Sequence, residues 1–181
     1  MPNVKSVMKT VKDMKIPFSF PAKDGKSDVF ALVDQMDAEL SAKQICAVMQ
    51  EQGCCKDERV TAPFRAFGKT HAGKTLEEKV ALLPELESGH RPPCRLNTDG
   101  TLSVYWGEKV EGKYRCVCRT ANRAPDKNNV SKTFCGCYAG HARNTLQYAL
   151  GVSLDLKEIV SSPISSGGER ECSFVFSVAD A

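Results

Sequence analysis

Two short motifs hold the residue types best suited to chemistry: Cys116-Val117-Cys118 and Cys135-Gly136-Cys137, separated by sixteen residues. Two thiol pairs across a loop are the general arrangement of a four-sulfur metal site, and soft thiolates suit zinc or an iron–sulfur cluster. Zinc is the first expectation, with Cys116, Cys118, Cys135 and Cys137 as ligands. The spacing is short for it, since zinc ligands are usually separated as C-x2-C to C-x4-C. On a regular strand, Cys116 and Cys118 share a face with Cβ atoms roughly 7 Å apart, from about 3.3 Å of rise per residue.

The second pair also suits nucleophilic chemistry. Phe134-Cys135-Gly136-Cys137-Tyr138-Ala139-Gly140-His141 leads into a helical pattern. A thiol at a helix N-terminus feels the positive end of the macrodipole and loses its proton more easily. His141 follows Cys137 by four residues, so the two project from one helical face and can form a thiolate–imidazolium pair. A redox variant uses the same sulfurs, with Cys135 or Cys118 as the resolving thiol for Cys137. A metal-bound Cys137 is not a free nucleophile, so the metal and hydrolase readings exclude each other.

The other candidates are blander. Isolated cysteines behave as small buried hydrophobes, which is the expectation for Cys46 and Cys94. Cys54 and Cys55 are adjacent, a poor geometry for bridging each other. Cys172 shares a strand face with Phe174 and Phe176 and reads as a core residue. His71 and His90 stand alone in polar surroundings and read as solvated. Between Lys109 and Lys132, seven basic residues face only Glu111 and Asp126, with Tyr105, Trp106 and Tyr114 close by. Such a patch suits an anion or a nucleic acid, but a solvated face is the expectation. No P-loop, dinucleotide fingerprint, nucleophile-elbow serine or H-E-x-x-H motif occurs.

The elements that must position these residues follow from periodicity. Val4, Val7, Met8 and Val11 keep helical spacing, as do Val29, Leu32, Val33, Met36 and Leu40. Ser41 reads as the N-cap of a helix carrying Ile45, Val48 and Met49, which Gly53 can end. Thr75 with Glu78 forms a capping box ahead of Leu76, Val80 and Leu83, and Pro84 should end or kink that helix. After the punctuation at residues 88–93, alternation replaces helical spacing. Asn97–Gly100 reads as a turn, with strands over Thr101–Trp106 and Lys113–Thr120. Cys137–Leu150 reads as a helix stopped by Gly151, followed by a strand opening with Val152, Leu154 and Leu156. A Ser166-Gly167-Gly168 turn then precedes a strand through Cys172–Val178. The fold class is therefore α+β: a helical N-terminal half, then a mainly antiparallel sheet with one inserted helix. The expectation is a single domain over 1–181, with a helical part at 1–93 and a cysteine-rich part at 94–181.

Composition bounds the function. The 181 residues can bury roughly 70% of their unfolded surface, so no covalent staples are needed. A net charge of +3, with 41% hydrophobic and 26% charged residues, is ordinary for a globular protein and argues against a dedicated nucleic-acid binder. Nine cysteines are an odd number and, at about 5%, stay below the roughly 8–10% of a disulfide scaffold. No apolar run is long enough to span a membrane and the start lacks a signal-peptide core. A reducing, cytoplasmic setting is the expectation, where clustered thiols serve metals or redox chemistry. Edge-strand logic leaves a homodimer open through the Asn97–Trp106 hairpin.

The stretch Cys116–Val178 resembles the aminothiazoline-carboxylate (ATC) hydrolase-like family of small bacterial and archaeal proteins. The resemblance rests on the C-x-C strand, the Phe-Cys-Gly-Cys-Tyr-Ala-Gly-His helix start, Ala149-Leu150-Gly151-Val152 and Val160-Ser161-Ser162-Pro163-Ile164. The closing Gly168-Glu169-Arg170-Glu171-Cys172-Ser173-Phe174-Val175-Phe176 is similar to the hairpin of vinyl-reductase-related ligand-binding domains. His141 departs from the family pattern, which has an aromatic residue there. The resemblance implies an α+β domain with a small-molecule pocket between sheet and helices. It carries over Cys116, Cys118, Cys135, Cys137 and Cys172 as the residues of the site. Three functions follow: a small-molecule-binding protein with zinc in a cysteine-lined site, a thiol-dependent hydrolase of a small heterocycle using Cys137 and His141, or a redox-responsive thiol protein.

Overall fold

The computed structural model describes residues 3–21, 28–53, 57–89, 91–116, 118, 120–124 and 130–180. Cys54, Cys55, His90, Arg119, Asp126 and Lys127 lie outside the described residues. Five helices come first: α1 (Val4–Asp13), α2 (Val29–Glu39), α3 (Ala42–Gln50), α4 (Glu58–Thr70) and α5 (Leu76–Leu82). Ser41 and Thr75 are the N-caps of α3 and α5, each in a reciprocal capping box, as their sequences predict. Pro84 sits in a 3-10 turn, Leu83–Glu85, that ends α5. Helix α4 has no counterpart among the elements that periodicity picked out. Pro63 lies inside it, while Val60, Phe64 and Phe67 form its buried stripe.

The second half is an antiparallel sheet with one long helix in it. Strands β1 (Cys94–Leu96), β2 (Leu102–Trp106), β5 (Val152–Ser161) and β6 (Cys172–Asp180) take the order β1-β2-β6-β5. A separate hairpin pairs β3 (Glu108–Val110) with β4 (Lys113–Arg115). Its turn residues, Glu111 and Gly112, have φ of 51° and 81°, the left-handed pair that suits the twist of a two-residue hairpin. The strand expected over Lys113–Thr120 therefore ends at Arg115, and Cys116 and Cys118 lie beyond it. The architecture is α+β, with the helical half first and α6 (Gly136–Leu150) inserted between strands.

Helix α6 is the centre of the core. Ala139, Ala142, Leu146, Ala149 and Leu150 are fully buried, as are Leu102, Val104, Leu154, Phe174 and Phe176 of the sheet. Small residues let the other helices approach it closely. A Cβ on Gly140 would stand 2.4 Å from the Gln50 carbonyl oxygen, and one on Gly136 would stand 2.7 Å from Met49 Cβ. Gly53, which the sequence offered as a helix stop, instead packs against the Gly140 backbone, and α3 ends at Gln50. At its C-terminus α6 is closed by Gly151 at φ 68° and by Lys79 Nζ, which donates to the Leu150 carbonyl at 2.8 Å.

Helix side chains cover the outer edge of β5. Leu154 N–H donates to Gln147 Oε1 at 2.8 Å, and Leu156 N–H donates to Gln50 Oε1 at 2.7 Å. Arg143 Nε donates to the Leu154 carbonyl at 2.6 Å, while its terminal nitrogens reach Glu51 at 2.8 Å and Asp155 at 3.6 Å. A strand edge with its polar groups occupied is a poor template for another chain. At the opposite edge stands β1, only three residues long, which makes β2 an interior strand. Among the described residues, no helix is long and apolar enough to cross a membrane.

Candidate functional site

Helix α6 is entered through a 3-10 turn, Lys132–Cys135, whose N-cap is Ser131. Asp37 of α2 fastens this turn, accepting from Ser131 Oγ at 2.5 Å and Thr133 Oγ1 at 2.6 Å. The helical run thus starts well before Cys137, and the macrodipole's positive end falls on the first residues of the 3-10 turn. Cys135 is the N-cap residue of α6 and Cys137 lies in its first turn. Both are buried, at 5% and 6% exposure.

Cys172, the first residue of β6, meets Cys135 from the sheet. It stands opposite Trp106 of β2, and its neighbour Ser173 stands opposite Ser161 of β5. Ser162, just past the end of β5, is fully buried. The Cys172 thiol first and the Ser162 hydroxyl after it hold the Cys135 thiol below its ordinary range, although burial opposes the shift. Cys172 moves the opposite way. Its hydrogen bond to Cys135 retains its proton first, burial adds to this, and the fields of Cys135, Cys116 and Cys137 add further. One sulfur is thereby set toward thiolate and its partner toward thiol.

Cys116 is half-buried beside this pair. Burial pushes its thiol up to about 11, with the fields of Cys135 and Cys118 raising it and a backbone hydrogen bond from Cys118 opposing. The side chain of Asn122 donates to the Cys116 carbonyl at 2.7 Å, and Cys118 Sγ accepts from Ala121 N–H at 3.5 Å. These contacts follow from the chain leaving β4 into a 3-10 turn at Ala121–Arg123, so strand geometry does not govern the Cys116–Cys118 spacing. Cys116 also lines a cavity of about 250 Å³ together with Tyr114, Asn122, Pro163 and Ile164. Gly168, at φ 87°, closes one side, its carbonyl accepting from Tyr114 N–H at 2.9 Å.

The fields of Cys116, Cys135 and Cys137 all reach Cys172, and that of Cys118 reaches Cys116. Among the described residues, no three His, Cys, Asp or Glu side chains are placed to hold a metal ion. His141 is buried on α6, one turn beyond Cys137. Its ring packs 5.4 Å from that of Tyr138, which in turn meets Trp106 at 5.3 Å and Phe174 at 5.9 Å. Cys46 is buried as expected, whereas Cys94 is half-buried at the start of β1. Burial raises both thiols, Cys94 to about 11, and Cys46 Sγ donates to the Lys157 carbonyl at 3.6 Å. His71 is not simply solvated, because its ring packs 4.4 Å from Phe67. Of the basic segment, Lys109, Lys113, Arg115 and Lys132 are exposed, as a solvated face requires.

Two contributors carried no signal in the sequence. Ser162 lies in a run of ordinary serines, and Asp37 lies almost a hundred residues from the turn it fastens. Cys172 had one signal, the alternation that aims it into the core with Phe174 and Phe176. Compared with protein-family models, curated proteins and solved structures, the chain matches none.

Proposed function

We propose that this protein binds a small molecule beside Cys116 and acts on it through a thiol, with Cys135 as the nucleophile. The observation that carries this reading is that Cys172 and Ser162 hold the buried Cys135 thiol below its ordinary range, while its field reaches Cys116 at the lining of a cavity. The thiolate is the attacking form of cysteine, and a buried thiolate needs hydrogen-bond donors to persist. The cavity lined by Cys116, Tyr114 and Asn122 offers room for a small ligand at Cys116. The resemblance to ATC hydrolase-like proteins supports hydrolysis of a small sulfur- or nitrogen-containing heterocycle. In such a reaction the thiolate adds to the electrophilic ring carbon. A ring bond to sulfur or nitrogen breaks and the departing atom takes a proton. Water then hydrolyses the covalent intermediate and restores the thiol.

Cys137 with His141 remains the competing nucleophile pair, and zinc on the C-x-C thiols is the competing cofactor. The zinc reading has less support, because no three ligands are grouped among the described residues. Turnover of a panel of small thiazolines and cyclic amidines separates the nucleophiles. Cys135→Ser is expected to lower turnover on the order of 10³-fold or more, with Cys137→Ser changing it by only several-fold. The reverse ranking transfers the role to Cys137 and overturns this reading.

A further inference from the structure

We propose that the outer edge of β1 takes up an extended, acidic segment of a partner protein as an added antiparallel strand, in the groove between β1 and α5. The two edges of the sheet differ. Along β5, Gln50, Gln147 and Arg143 occupy the outward backbone groups of Leu154 and Leu156. Along β1 the phase of the ladder leaves such groups open. Arg95 pairs with Ser103, Asn97 N–H donates to the Thr101 carbonyl at 2.8 Å, and Tyr105 N–H donates to the Pro93 carbonyl at 2.8 Å. Residues 93, 95 and 97 therefore bond to β2, and the N–H and C=O groups of Cys94 and Leu96 point away from it. Among the described residues, no hydrogen bond reaches these outward groups. Beside them runs a groove of about 640 Å³, lined by Glu77, Val80, Ala81 and Pro84 on one side and by residues 94–98 on the other. No residue of α5 is fully buried, so the apolar side of that helix is only half covered.

Charge and register select the occupant. In an added antiparallel strand, the residues opposite Cys94 and Leu96 exchange N–H···O bonds with them, and the residue between stands opposite Arg95. The flanking side chains share the face of Cys94, which lines a smaller cavity with Val80, Leu83 and Pro84, so apolar residues fit there. Arg95 is on the other face, exposed, and has no ion pair among the described residues. A carboxylate opposite it is the favourable cross-strand pair. The segment that fits thus reads apolar–acidic–apolar. A second copy of this chain fits worse. A twofold register centred on Arg95 joins Cys94 to Leu96 of the other copy, but it sets two Arg95 side chains directly opposite each other, a like-charge pair that destabilises the contact. Centred on Cys94, the register puts Leu96 against Pro92, which has no N–H to give. Centred on Leu96, it puts Cys94 against Thr98, inside the turn closed by Gly100 N–H on the Asn97 carbonyl at 3.0 Å.

The test uses the full chain and a capped, dye-labelled peptide with valine–aspartate–valine at its centre and glycine and serine outside it. Fluorescence anisotropy at low salt is expected to saturate, and hydrogen exchange at the Cys94 and Leu96 amides is expected to slow on binding. N-methylation of either valine removes an N–H aimed at β1 and should weaken binding at least about tenfold, against under about threefold for N-methylation of the aspartate, whose N–H points away. Lysine in place of the aspartate should weaken binding by about two- to five-fold, and Arg95→Glu should invert that preference. Anisotropy that does not saturate, equal losses at all three N-methyl positions, or slowed exchange only at other amides overturns the added strand. Binding indifferent to the charge opposite Arg95 overturns the acidic partner. A concentration-dependent dimer that slows the same two amides, and that the peptide does not disperse, gives the edge to a second copy and overturns the choice of occupant.

Discussion

The thiols of Cys135 and Cys172 are shifted in opposite directions by each other: Cys135, at the turn that launches α6, is held below its ordinary range and Cys172, the first residue of β6, is held above it. Ser162, just past the end of β5, lowers the Cys135 thiol further. Three segments separated in sequence thus set the protonation of one thiol. The sign is definite. A lowered thiol pKa means that thiolate forms at a lower pH than in the unfolded chain, where the value is about 8.5.

Removing a donor should reverse part of that shift. In Ser162→Ala, the pH midpoint for Cys135 alkylation is expected to rise toward the ordinary thiol value, and Cys172→Ala should raise it more. Residue-resolved alkylation across pH reads this directly. An unchanged midpoint in both variants means that the two bonds do not control Cys135.

Asp37 anchors the turn from outside the site. It accepts two hydroxyl hydrogen bonds on an exposed stretch of α2, so Asp37→Ala should cost about 1–2 kcal/mol of stability. Denaturant unfolding measures that cost. Alkylation of Cys135 in the folded variant should also shift as the turn loosens, which a purely local loss of stability does not produce.

Much of the fold was legible because local chemistry states it. The Ser41 and Thr75 capping boxes, the Asn97–Gly100 turn and the Gly151 stop appear where the residues place them. Helix α4 was not legible, because Pro63 and a polar first turn hide a stripe that Val60, Phe64 and Phe67 do carry. The three-residue strands β1 and β3 are too short for alternation to reveal, and alternation carries β4 five residues too far. In the site, the C-x-C spacing drew attention to Cys116, Cys118, Cys135 and Cys137. The influence of Cys172 and Ser162 on Cys135 depends on sheet order, which periodicity does not encode.

Close backbone approach makes a further prediction. Gly140→Ala places a Cβ 2.4 Å from the Gln50 carbonyl oxygen and 2.7 Å from Gly53 N, so rigid main chain must move. A loss of at least about 1–3 kcal/mol is expected, against under about 0.5 kcal/mol for exposed Gly73→Ala, where a Cβ meets open space. Equal thermal midpoints for the two variants would contradict the packing of α3 on α6.

Metal content divides the readings. Protein purified without oxygen and dialysed against a weak chelator is expected to hold well under one zinc per chain and to keep its fold. One retained zinc per chain, with four thiols protected from alkylation, would restore the C-x-C pairs as a metal site and remove Cys135 as a free nucleophile.

The most direct test of the central claim is the pH dependence of iodoacetamide labelling at each cysteine of the reduced, folded protein, read by peptide mass spectrometry. Cys135 is expected to label with a midpoint below that of the unfolded chain, and Cys116 and Cys172 above it. A Cys135 midpoint at or above the unfolded value would contradict it.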